Sequence, residues 1–247
     1  MKLFIQVCFT ITLLMFLGIN VQTASAGVPI NTTERGWYDN LGDHTPSNTN
    51  YIAGAENNEI FHDFFVFDLS STQICAASLV LFNPNVGPGP FPGYISPDPT
   101  ETFSIYDVTT NIANLIAGTA GVAAYNDLGG GVSFGSTTVS AADNGQFVTV
   151  NLNNDGINAL NAAAGGQIAI GGALTTQGQI FESELVFGST NTDDPQDGNT
   201  FLNLEFCTTG PITIIPTMGQ WGIVIATILL GFFAVIRLRR VKDSELE

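Results

Sequence analysis

The sequence predicts an all-β fold, an antiparallel two-sheet sandwich of jelly-roll-like form that carries two short helices. Three observations predict it. Residues 27–210 break into about eight β-prone segments, each bounded by Gly, Asn, Asp or Pro clusters. Several segments alternate apolar and polar side chains, as half-buried antiparallel strands do. No fixed internal repeat runs through the chain, which disfavours the alternative of a parallel β-helix.

The strands follow in order. Glu59–Leu69 (EIFHDFFVFDL) is aromatic-rich and runs into a turn at Asp68-Leu69-Ser70-Ser71. ICAASLVLF (74–82) comes next. After it stand Thr102–Val108, Gly131–Val139, Gln146–Leu152, Gln167–Leu174, Ser183–Ser189 and Thr200–Cys207. Two helical patterns interrupt them. In NIANLIAG, Ile112, Leu115 and Ile116 share a face, Thr109 or Thr110 is the expected cap, and Gly118 is the stop. In GINALNAAAGG, Ile157, Leu160 and Ala164 share a face, Asp155 is the expected cap, and Gly165 ends the helix. The stretch FNPNVGPGPFPGYISPDPT is rich in Pro and Gly, but its length fits a long loop inside one domain.

Both ends differ from this domain. Met1-Lys2 leads an apolar run, Leu3–Val21, followed by Ala24-Ser25-Ala26. A positive start, an apolar stretch and an A-x-A site describe a secretory signal peptide over residues 1–26, the alternative being an uncleaved membrane helix. At the other end, Met218–Ile236 is an apolar run of 19 residues with one strongly polar side chain, Gln220. That length spans a bilayer. Arg237, Arg239, Arg240 and Lys242 follow at once, so the positive-inside rule keeps this end cytoplasmic and argues against a buried core helix. The expected topology is a single-pass helix over about 218–236 with the bulk of the chain outside.

The tail, residues 211–247, carries more than a span. Ile215-Pro216-Thr217-Met218, then Trp221-Gly222, then an apolar helix and arginines, resembles the IPTL-CTERM sorting signal. That family is related to the PEP-CTERM signals of Gram-negative bacteria. The resemblance covers the last 30 or so residues. It implies recognition and processing near the I-P-T motif by an exosortase-type transpeptidase. It also implies a transient inner-membrane anchor, then delivery to the cell surface or extracellular matrix. Met218 stands where the family has Leu, and Val241–Glu247 continues beyond the point where many such signals stop. Strings such as NYIAGAENNEIFHDFFVFDLS and AAAGGQIAIGGAL resemble an exported bacterial β-sandwich domain found with such tails.

Charge limits the partners. Of the six Lys and Arg only Arg35 lies in residues 27–214, against 19 of the 22 acids, so this part carries 1 − 19 = −18. Such a surface repels nucleic acid and anionic lipid. Its carboxylates must be solvated, hydrogen-bonded to backbone, or bound to metal. Cys8 leaves with the signal, and the remaining pair, Cys75 and Cys207, predicts one disulfide in an exported domain. Parity raises a tension. Cys75 is in phase with inward Ala77, Leu79 and Leu81, whereas Cys207 is in phase with outward Asn203 and Glu205.

No catalytic residues are assigned. His44 and His62 form no zinc-binding spacing, no G-x-S-x-G is present, and Asp127–Gly135 (DLGGGVSFG) lacks the Lys of a phosphate cradle. Paired carboxylates, which a polysaccharide hydrolase or lyase needs, cannot be chosen from the acids by spacing alone. Calcium is the expected cofactor if there is one. The loop Ser189–Thr200 gathers Asp193, Asp194 and Asp197 with Asn191 and Asn199, and Gly198 permits a bend. Its spacing is not that of an EF-hand, and the bland alternative is a solvated acidic loop. Trp37–His44, with Asp39, Asn40 and Asp43, is a second candidate. Trp37, Tyr38, Tyr51 and Tyr94 occur in loop-like contexts, and Trp37 with Tyr38 are the candidate carbohydrate contacts; the alternative packs Trp37 onto the sandwich. The leading expectation is therefore a non-enzymatic structural or adhesive protein of the envelope or matrix. A carbohydrate-binding module, calcium-dependent or not, is the main alternative, with extracellular polysaccharide as partner.

Overall fold

The structure, a computed structural model, describes residues 27–85, 93–178, 183–188, 198–207, 225–231, 233 and 237. The expected signal peptide and the I-P-T and W-G motifs lie outside the described residues. Residues 225–231 are helical, and among the described residues no helix is long and apolar enough to cross a membrane.

The described residues from 27 to 207 fall in one compact unit, Gln22–Thr208. Its strands are β1 (Val28–Asn31), β2 (Glu34–Asp39), β3 (Ala53–Glu56), β4 (Glu59–Asp68), β5 (Ile74–Asn83), β6 (Glu101–Asp107), β7 (Ser133–Val139), β8 (Gln146–Asn151), β9 (Gln167–Leu174), β10 (Glu184–Val186) and β11 (Thr200–Phe206). They form two antiparallel sheets. One runs β1-β11-β5-β8; the other runs β10-β3-β4-β9-β6-β7, with β2 paired to β4. A sandwich of two antiparallel sheets thus agrees with the sequence reading. Eight of the strands match the predicted segments; β1, β2 and β3 are additional. Trp37 and Tyr38 accordingly lie in a strand rather than a loop.

Strand β4 shows why. Phe65 and Phe67 join the main core between the sheets, while Phe64 and Val66 join a second core on the opposite face. A strand buried on both faces reads as a continuous apolar run, FFVF, instead of alternating. The second core is closed by two short helices, α1 (Ile112–Ile116) and α2 (Gly121–Leu128), through Leu115, Ala124 and Leu128. Helix α2 was not expected; the other helix, α3 (Asn154–Ala162), was. The expected caps are corrected in both cases. Asn111 caps α1 by accepting from the Asn114 amide, and Asn153 caps α3 by accepting from the Gly156 amide. Thr109 and Thr110 instead bind the Asp127 carboxylate near the end of α2, each through its amide and its hydroxyl. This ties the start of α1 to the end of α2.

Two local devices set the geometry. The β3–β4 hairpin turns on Asn57 (φ 54) and Asn58 (φ 69), the two positive-φ positions of a type I′ turn, where Asn is tolerated. In β9, Gly171 lets α2 approach: a methyl there would stand 2.5 Å from the Leu128 carbonyl oxygen. The disulfide joins Cys75 to Cys207, with Cα atoms 5.0 Å apart. The parity conflict is resolved by a bulge. Glu205 pairs with Ala76 and Phe206 with Ile74, so Cys75 is skipped in the ladder. The extra residue reverses the phase, Ile74 turns into the core, and Cys75 is left half-buried beside the strand end.

Candidate functional site

Where the segment before β6 meets β10, three acids converge. Mutual amide–carbonyl bonds between Ile95 and Leu185, 2.9 and 2.7 Å, bind the loop after residue 93 to β10. Glu184 opens β10, Glu101 opens β6, and Asp98 sits in the turn ahead of β6. One carboxylate oxygen from each of Asp98, Glu101 and Glu184 lies within 4.8 Å of the others. Glu101 is 0 % and Glu184 2 % exposed, while Asp98 is exposed.

The surroundings orient these groups. The Ser96 hydroxyl donates to Glu101 Oε1 at 2.6 Å, and the Thr176 hydroxyl donates to its Oε2. Thr176 is itself positioned by accepting from the Thr102 amide. The Gly178 amide donates to Glu184 Oε2. Tyr94 donates to the Asp98 carbonyl at 2.7 Å. Burial raises the Tyr94 phenol above its ordinary value, opposed by a hydrogen bond with Ser96 and reinforced by the charges of Glu101, Asp98 and Glu184. Arg35, the one Lys or Arg in residues 27–214, donates to the Thr49 carbonyl at 2.8 Å and to the Thr200 hydroxyl at 3.2 Å, and lies over the Tyr51 ring.

The donor set fits a divalent hard cation. Calcium binds oxygen at about 2.3–2.6 Å, so any two of its ligands lie no more than about 5 Å apart. The Asp98, Glu101 and Glu184 oxygens satisfy that limit without rearrangement. A cation would supply compensating charge to two carboxylates withdrawn from water.

The residues singled out in the sequence are placed elsewhere. Asp193, Asp194 and Asp197 lie outside the described residues, as do Arg239 and Arg240; Arg237 is helical. In Trp37–His44, Asp39 Oδ1 accepts from the Leu41 and Asp43 amides, and Asn40 Oδ1 accepts from the Ile60 amide. These oxygens hold a turn. Tyr38 is 0 % exposed and donates to the Leu115 carbonyl at 2.7 Å, so its ring presents no face to a sugar. Trp37 is half-buried, edge-on to Phe61 at 5.2 Å. Tyr51 and Tyr94 are buried. His44 Nδ1 contacts the Trp37 carbonyl at 2.8 Å, and His62 Nδ1 the Tyr125 carbonyl at 2.7 Å; burial lowers both imidazoles. Both histidines serve the layer between β4 and the helices.

Sequence reasoning missed the three-acid cluster. Asp98 and Glu101 are three apart in SPDPTE, but Glu184 is joined to them only by the Ile95–Leu185 pairing. No known protein family matches this chain, and no curated protein matches it.

Proposed function

We propose that the chain is an exported, non-enzymatic β-sandwich protein, jelly-roll-like in form, with a structural or adhesive role at the bacterial cell surface or in its extracellular matrix. The observation that carries this reading is the Cys75–Cys207 bridge. Such bonds persist in oxidising compartments and are rare in the cytosol. That agrees with residues 1–26 as a cleaved signal and with an IPTL-CTERM-like tail spanning the inner membrane over about 218–236. On this reading an exosortase-type enzyme acts at Ile215-Pro216-Thr217. Replacing Pro216 and Trp221 with Ala leaves the apolar length of the tail unchanged. The variant should therefore insert normally and remain full-length in the inner membrane. Arrival of that variant at the surface at its normal size rejects the sorting reading.

A second reading, calcium-dependent carbohydrate binding, is favoured by the convergence of Asp98, Glu101 and Glu184. Calcium would be held there, and half-buried Trp37 is the aromatic offered to a glycan. Millimolar calcium should raise the Tm of wild type, magnesium should raise it less, and Glu184→Gln should abolish the calcium response. An equal response to both ions, retained in Glu184→Gln, signifies general screening of the acidic surface. Glycan-array binding that survives Trp37→Ala rejects the sugar contact.

A further inference from the structure

The carboxyl of Asp63 is the least expected group in the molecule. Asp63 is 0 % exposed, and neither of its side-chain oxygens has a hydrogen-bond partner. Its position is fixed by the ladders around it. On β4 it is in phase with Phe65 and Phe67, which point into the main core, and it pairs with Trp37 on β2 and Gly172 on β9. Gly172 in turn pairs with Ile105 on β6. Gly172 makes the room: a methyl there would lie 2.2 Å from Asp63 Oδ1 and 2.4 Å from the Phe103 ring.

Among the described residues no counter-ion is at hand. The charged residues at inward positions on the surrounding strands are Arg35 and Asp39 on β2, Glu56 on β3 opposite Glu59, Glu101 and Asp107 on β6, and Glu59 on β4 itself; Glu56 Oε2 is also buried without a hydrogen-bond partner. Strand β9 contributes none. Arg35 donates to Thr49 and Thr200; Asp39 accepts from the Leu41 and Asp43 amides; Glu101 accepts from Ser96 and Thr176; Asp107 accepts from the Val132 amide. The inward residues of β5, β8 and β11 that line the opposite side are apolar apart from Asn83 and Thr200.

We propose that Asp63 is a proton-linked switch in the sandwich core: the folded domain holds this side chain as the neutral acid, and its ionisation at rising pH loosens the sheet. An ionised carboxylate taken from water without partners is far costlier than a neutral acid, and the protein gives up the charge instead. Burial pushes the Asp63 carboxyl well above the ordinary aspartate value, against a smaller lowering effect of its own backbone amide. The sign follows from linkage. With the folded value raised, the contribution to stability is complete below the unfolded value of about 3.9 and is lost as pH rises through the folded value. The two half-buried histidines act oppositely, since their lowered values favour the fold as pH rises through the unfolded value.

The test compares the full-length chain with Asp63→Asn, which cannot ionise. Across the window above about pH 4, wild type should lose up to tenfold in its folding equilibrium per pH unit relative to the variant. Parallel pH profiles overturn the proposal. A second measurement does not depend on the variant folding. In wild type labelled with carboxyl-¹³C aspartate, one native aspartate resonance should titrate at a higher pH than all the others, above the ordinary aspartate value. Native aspartates that all titrate at or below the ordinary value overturn it equally.

Discussion

Removing the Cys75–Cys207 bridge, by Cys75→Ser with Cys207→Ser, tests how much of the fold's stability rests on covalent closure. The bridge spans a sequence separation of 132 and joins the start of β5 to the end of β11. In the chain-entropy relation, freeing a loop of that length adds about 17 cal/mol/K to the unfolded chain, or about 5 kcal/mol at 25 °C. The domain has about 180 residues, and at about 2.1 cal/mol/K per residue its unfolding entropy is about 0.4 kcal/mol/K. The expected fall in Tm is therefore about 13 °C. Thermal unfolding of the full-length chain, followed by circular dichroism with and without reductant, supplies the measurement. Reduced wild type and the double Ser variant should coincide at the lower midpoint. A fall of less than about 3 °C in both would refute the loop-closure reasoning and leave the β5–β11 ladder as the source of the junction's strength.

Three further outcomes follow from particular contacts. Asp127→Ala removes four hydrogen bonds to Thr109 and Thr110 and should destabilise the domain by about 1–2 kcal/mol in urea unfolding. Burial pushes the Asp127 carboxyl up, but these donors outweigh it and hold it below the ordinary aspartate value. Its contribution is thus complete above about pH 3.9 and lost as pH falls through the lower folded value; an acid limb unchanged in the variant contradicts this. Gly171→Ala sets a methyl 2.5 Å from the Leu128 carbonyl and should cost about 1–3 kcal/mol, with amide exchange in α2 accelerated first. Burial lowers the His62 imidazole, so His62→Gln should flatten the loss of stability as pH falls below about 6.5; a wild-type slope in the variant rejects the assignment.

Much of the fold was legible because half-buried strands write their faces into the sequence. Gln167–Leu174 was read with the same bounds as β9, and the main strands β4 and β5 within one residue at one end. What failed has physical causes. Strand β2 is buried on both faces, so Arg35, Trp37 and Tyr38 show no alternation, and its turn-forming acids resemble a loop. Strand β3 is AGAE, too small in side chain to announce itself. Helix α2 begins after Ala120, which makes no side-chain cap, and opens on Gly121, so neither start signal of a helix is present. The cysteine parity was misleading because one bulged residue at Cys75 inverts the phase of β5. Asp63 was visible as a lone acid in FHDFFVF, in phase with the core-facing phenylalanines, but its lack of a partner is a property of the packed sandwich. Glu184 lies 83 residues beyond Glu101, a distance no motif bridges.

Export of the domain and processing of its tail are both read out by the intact mass of the native protein, recovered without reductant from the cell surface or surrounding matrix. The expected chain begins at Gly27, ends before Glu247 near the Ile215-Pro216-Thr217 segment, and is lighter by two hydrogens for the Cys75–Cys207 bond. A native protein that retains Met1 and Glu247 and carries two free thiols would contradict it.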